Sequence, residues 1–113
     1  MKEADVVLTP IPQADGVIKN RPAILREMPP YRDFLVCGVS TQLDKEVKGF
    51  DEVISDADED FLSSGLRTSS LVRLGFLALL PSRQIIGAIG SISSTRHGKL
   101  LKTLSDYLIM NRA

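Results

Sequence analysis

Disulfides cannot hold this chain together, because its 113 residues include a single cysteine, Cys37. One unpaired thiol fits a reducing compartment, and the cytoplasm is the expected location. No apolar run approaches the roughly 20 residues that span a bilayer, so a membrane is not an expected partner. The opening Met1-Lys2-Glu3-Ala4-Asp5 lacks the charged region and apolar stretch of a signal peptide. There is one histidine, His97, so no histidine pair is present for acid–base work, and its place among Ser94, Thr95, Arg96 and Gly98 suggests a solvated surface role. No group of residues has metal-ligand spacing, and Gly87 and Gly90 form no phosphate-cradling loop; neither a metal nor a cofactor is expected. Repeats, low-complexity stretches and linkers are missing too. A single domain over 1–113 with a modest core is the expectation.

Net charge is also absent, with 14 basic side chains against 14 acidic ones. A nucleic-acid-binding domain is usually basic, so RNA binding would depend on how the charges are distributed. Residues 1–50 are balanced at seven each, whereas 51–68 hold six acids against Arg67. Residues 69–113 hold six bases against Asp106 alone. A fold that gathers Lys19, Arg21, Arg26 and some of the later cations on one face would create the necessary field.

What the chain does have is a series of short aliphatic runs between turn-forming clusters. Val6–Leu8 and Ala23–Leu25 read as strands bounded by prolines, and Met28-Pro29-Pro30 breaks the chain before the most apolar strand, Phe34–Val39. Asp51–Ile54 reads as a short strand. Asp56–Leu62 is one helical turn or a surface loop that Gly65 ends, and Asp58-Glu59-Asp60 within it reads as a solvated turn. Ser70–Leu74 and Ile85–Ile89 are further strands, the latter after a turn at Pro81-Ser82-Arg83. The period then changes: Ser93 or Ser94 caps a helix with Leu100, Leu101, Leu104, Tyr107 and Leu108 on one face. Such a pattern predicts a mainly β chain with minor α content, its bent antiparallel sheet closed into a small barrel. Cys37, mid-strand, reads as core, and Gly87 and Gly90 as relief of crowding in a bent strand.

One region carries the parts needed to hold and polarise a phosphate. Arg21 stands between a polar loop and a strand, where Pro22 biases it toward extended backbone. Its guanidinium is always charged and presents a fork of donors matched to phosphate oxygens. On spacing alone, a solvated loop arginine is the default reading. The strand Phe34–Val39 runs directly into Ser40-Thr41-Gln42, where a hydroxyl can serve a phosphate or merely satisfy local backbone groups.

The same segments resemble the PemK/MazF toxin family. The resemblance starts with Asp5-Val6-Val7-Leu8-Thr9-Pro10, Asp15-Gly16, Lys19, Arg21-Pro22-Ala23 and Leu25, then Val36-Cys37-Gly38-Val39-Ser40-Thr41-Gln42. It continues through Gly65–Leu74, Ile85–Ser93 and the last helix, in order. It implies an SH3-like barrel of the CcdB/PemK/MazF kind with a C-terminal helix, usually a homodimer. It also implies the mRNA-cleaving endoribonuclease toxin of a type II toxin–antitoxin pair, partnered by a cognate antitoxin. Arg21 matches the family position that contacts the scissile phosphate, and Ser40 the second catalytic position, usually threonine. Lys19, Asn20, Thr41 and Gln42 are the flanking RNA-binding residues so implied. Without a histidine pair or metal ligands, the substrate's own 2′-hydroxyl is the nucleophile, which makes single-stranded RNA the expected substrate. Two alternatives share the fold: a gyrase poison like CcdB, whose characteristic C-terminal end is not recognisable in Tyr107–Ala113, and a catalytically silent interaction module, favoured by the neutral charge and by Ser40.

Overall fold

The computed structural model describes residues 1–10 and 20–110. Six strands form one sheet: β1 (Asp5–Leu8), β2 (Ala23–Met28), β3 (Asp33–Ser40), β4 (Glu52–Ile54), β5 (Ser70–Leu80) and β6 (Gly87–Ser91). Their order is β4-β5-β3-β2-β1-β6, and each adjacent pair is antiparallel. A four-residue helical turn, α1 (Phe61–Ser64), precedes β5, and a long helix, α2 (Ser94–Ile109), follows β6. The chain is therefore mainly β with a C-terminal helix, as the aliphatic runs predict.

Successive side chains of a strand point to opposite faces, and both faces of this sheet are covered. Val6, Leu25 and Cys37 pack with Val72, Leu74, Leu100 and Leu104 on the side of α2. Their neighbours Val7, Ile24 and Val36 pack with Phe34, Leu80 and Ile85 on the other side. Burying an aliphatic side chain of this size contributes about 1.5–3 kcal/mol, so these adjacent pairs specify the register strongly. The register slips between Val6 and Val7, between Ile24 and Arg26, and between Cys37 and Gly38, and such bulges bend a sheet.

The expected closure into a barrel is not made by strand pairing. No ladder joins the edge strands β4 and β6; α1 packs against β6 instead. Gly65 ends α1 at φ 75°, and a Cβ there would lie 2.2 Å from the carbonyl oxygen of Ile89. A Cβ on Gly90 would meet the Ser63 carbonyl at 2.2 Å. These bare backbones let the turn approach the strand, and Ser63 Oγ donates to the Ser91 carbonyl at 3.2 Å. Gly90 thus relieves crowding as expected, whereas a Cβ on Gly87 would meet open space.

Three further expectations are corrected. The last strand begins at Gly87 rather than Ile85, because Ser82–Gln84 winds into a 3₁₀ turn and Gly87 is the residue opposite Leu8. Tyr107 and Leu108 are 56% and 66% exposed, since both border an open hollow beside Phe50 and Leu77; Tyr107 meets Phe50 edge-on at 5.2 Å. Within Asp58-Glu59-Asp60 only Glu59 is exposed as expected; Asp58 and Asp60 are held in ion pairs. Arg96 of α2 donates to both oxygens of Asp60 at 2.9 and 3.0 Å, to Asp58 at 2.9 Å, and to Glu52 and the Val53 carbonyl of β4. Ser93 caps the helix by accepting from Arg96 N, and its own N–H donates to Asp60.

Candidate functional site

A groove of about 650 Å³ opens where the start of β2, the end of β3 and the first half of β5 converge. Asn20, Arg21, Ser40, Thr41 and Gln42 all line it, so the fold brings together five of the six residues singled out in the sequence. Lys19 lies outside the described residues.

Local structure explains how each is held. Asn20 and Thr9 exchange two backbone hydrogen bonds, 2.9 and 3.0 Å, which anchors the chain as it enters β2. The Asn20 Oδ1 accepts from Arg21 N at 3.0 Å, and Pro22 behind it is buried. Arg21 is therefore an exposed cation on a fixed backbone. At the end of β3, Ser40 Oγ accepts from Gln42 N at 3.0 Å and turns the chain away from the sheet. The hydroxyl thus satisfies a local backbone group, and its own O–H remains a donor for the groove.

The other wall is built by residues that the sequence reading passed over: Arg67, Thr68, Arg73 and Phe76. Against β3, strand β5 keeps one register up to Arg73, opposite Gly38, and resumes at Leu77, opposite Cys37. Leu74, Gly75 and Phe76 therefore form a bulge. The buried Asp51 stabilises it, accepting from Leu74 N at 3.0 Å and from Val47 N at 2.8 Å. The bulge turns Phe76 into the groove, and the Arg73 guanidinium lies over its ring, 4.0 Å from the centroid. The available signal was Gly75, an isolated glycine inside a strand pattern, which marks such irregularities.

Arg21, Arg67 and Arg73 give this groove three guanidinium groups, and none of its described lining residues is acidic. Among the described residues these arginines enter no ion pair, while Glu52, Asp58 and Asp60 are taken up by Arg96. Charge segregation thus creates a local positive field in a neutral chain. Cys37, behind the groove, is a core residue as expected; burial, with the nearby Asp51 carboxylate, pushes its thiol up to about 12, so it is not a thiolate nucleophile. His97 is not solvated: it is half-buried, its Nε2 lying 2.7 Å from the Leu25 carbonyl. A carbonyl only accepts, so that nitrogen is the donor and the ring ties α2 to β2. Among the described residues no three histidine, cysteine or acidic side chains are grouped to hold a metal ion, and no helix is long and apolar enough to cross a membrane.

Neither a scan of the chain against protein-family models nor a search of curated proteins finds a match.

Proposed function

We propose that the groove binds single-stranded RNA and that the chain is an endoribonuclease toxin of the PemK/MazF kind, acting on mRNA within a type II toxin–antitoxin pair. The observation that carries this reading is the convergence of Arg21, Arg67, Arg73 and the Ser40 hydroxyl in one groove without a described carboxylate. Guanidinium groups on β5 and in the segments leading into β2 and β5 supply positive charge where a phosphate gains negative charge during displacement, and preorganised donors of this kind lower the barrier. The substrate's 2′-oxygen forms the new bond to phosphorus while its proton passes to water. The bond from phosphorus to the 5′-oxygen breaks, and that oxygen takes up a proton from water. The products are a 2′,3′-cyclic phosphate and a 5′-hydroxyl end. Arg21 stabilises the charge on the phosphate, Ser40 donates to one of its oxygens, and Asn20, Thr41 and Gln42 contact the flanking strand.

The bent sheet, with α1 packed against its edge strand β6, supports the narrower fold reading, a small SH3-like barrel. The same cationic groove suits an acidic, initially disordered antitoxin segment that folds as it binds, and replacing Arg21 should weaken that complex in a binding titration. The deciding experiment incubates purified protein with a long single-stranded RNA in EDTA. Cleavage to cyclic-phosphate ends is expected. Growth arrest without any RNA cleavage would reject the nuclease and favour a gyrase poison of the CcdB kind.

A further inference from the structure

Phe76 is the one aromatic side chain among the described residues of the groove, and none of the roles above uses it. A phenylalanine gains most by burial, yet this one is 59% exposed. Its position is built rather than incidental. The bulge at 74–76 lifts it out of the β5 ladder, and Gly38 leaves it room, since a Cβ there would lie 3.2 Å from the Phe76 Cβ. Arg73 lies over the ring at 4.0 Å. Two more arginines in the same groove attract phosphates. A cationic track beside an exposed ring is the combination that holds unpaired nucleotides, with the backbone drawn by charge and a base stacked on the ring.

We propose that Phe76, with Arg73 against its face, is the stacking platform for one unpaired base of the strand whose phosphate lies at Arg21 and Ser40. This rests on the groove being an RNA site and adds the subsite that grips a base. Stacking requires a base free of its neighbours, so the platform refuses duplex. It favours purines over pyrimidines because their faces are larger.

The test uses uncleavable 2′-O-methyl oligonucleotides carrying 2-aminopurine at successive positions. Wild-type protein should quench the probe at one position, and Phe76→Ala and Phe76→Leu should both lose that quenching while Phe76→Tyr retains it. Phe76→Ala should raise Kd about tenfold for single strands, the order expected for loss of one stacked base. Its salt dependence should be unchanged, whereas Arg21→Ala should reduce the slope, having removed a phosphate contact. Phe76→Leu keeps an apolar side chain in the bulge, so a folding defect in the alanine variant is told apart from loss of the ring. Equal affinity and quenching in Phe76→Ala would overturn the platform even if the protein cuts RNA. Phe76-dependent quenching by a protein that cuts no RNA would uphold the platform and reject the nuclease. Wild-type protein that binds no oligonucleotide would overturn both.

Discussion

Arg21 carries its charge on a backbone fixed by Asn20 and Thr9, so its removal subtracts a groove cation without disturbing a packed element. Arg21→Ala is expected to cut RNA cleavage on the order of 100-fold to 1,000-fold, the usual loss for one preorganised donor. The thermal midpoint should stay near the wild-type value. Ser40→Ala should lose less, and Ser40→Thr should be tolerated, since it keeps the hydroxyl that accepts from Gln42 N; rates on one RNA would rank the three. His97→Ala should leave the cleavage rate of folded protein unchanged while lowering unfolding free energy by about 1 kcal/mol, the typical net value of one hydrogen bond. These residues differ in how visible they were in the sequence. Arg21 and Ser40 announce themselves by lying next to strand boundaries, a local property. His97 has only polar or small neighbours in sequence, and its partner carbonyl is 72 residues away.

Among the elements, α2 is fastened by apolar packing and by an ionic clasp, besides the His97 hydrogen bond. Leu100 and Leu104 are buried against the sheet, and Leu104→Ala should cost about 2–5 kcal/mol in chemical denaturation. At the helix's N-terminal end, the Arg96 side chain, by its hydrogen bonds, holds the Asp60 carboxyl below its ordinary 3.8, at about 2. Because the folded value lies below the unfolded one, this stabilisation is fully present above about pH 4 and is lost as the pH falls toward 2, amounting to about 2 kcal/mol. The wild-type denaturant midpoint should therefore be lower at pH 2.5 than at pH 7. Arg96→Met should lower stability at pH 7 by about 3 kcal/mol, leaving Asp60 buried beside no cation, and should weaken the acid dependence. The existence and kind of nearly every element followed from periodicity. The three-residue bulge in β5 and the ionic clasp did not, because both are settled by what lies across the sheet rather than along the strand.

At the level of the molecule, the exposed apolar side chains Leu77 of β5 and Tyr107 and Leu108 of the helix border one hollow of about 610 Å³. Phe50, Leu74 and Leu104 also line it. A twofold homodimer would cover part of this surface, as closed symmetric assemblies generally do. Light scattering across a wide concentration range should give twice the chain mass, and a strictly monomeric mass throughout would contradict the dimer. The sequence by itself determined the mainly β class, the terminal helix with a serine cap at 93 or 94, and the cysteine's place in the core, since each follows from local periodicity and from which residues avoid water. It also singled out Arg21 and Ser40, which stand at the ends of readable strands. Only the tertiary structure decided that a neutral chain presents a cationic groove, because Arg96 pairs with Glu52, Asp58 and Asp60 while Arg67 and Arg73 join Arg21 elsewhere. It alone turned Phe76 outward, since a bulge depends on long-range pairing between β3 and β5 and on a carboxylate, Asp51, more than twenty residues upstream of the backbone N–H it satisfies.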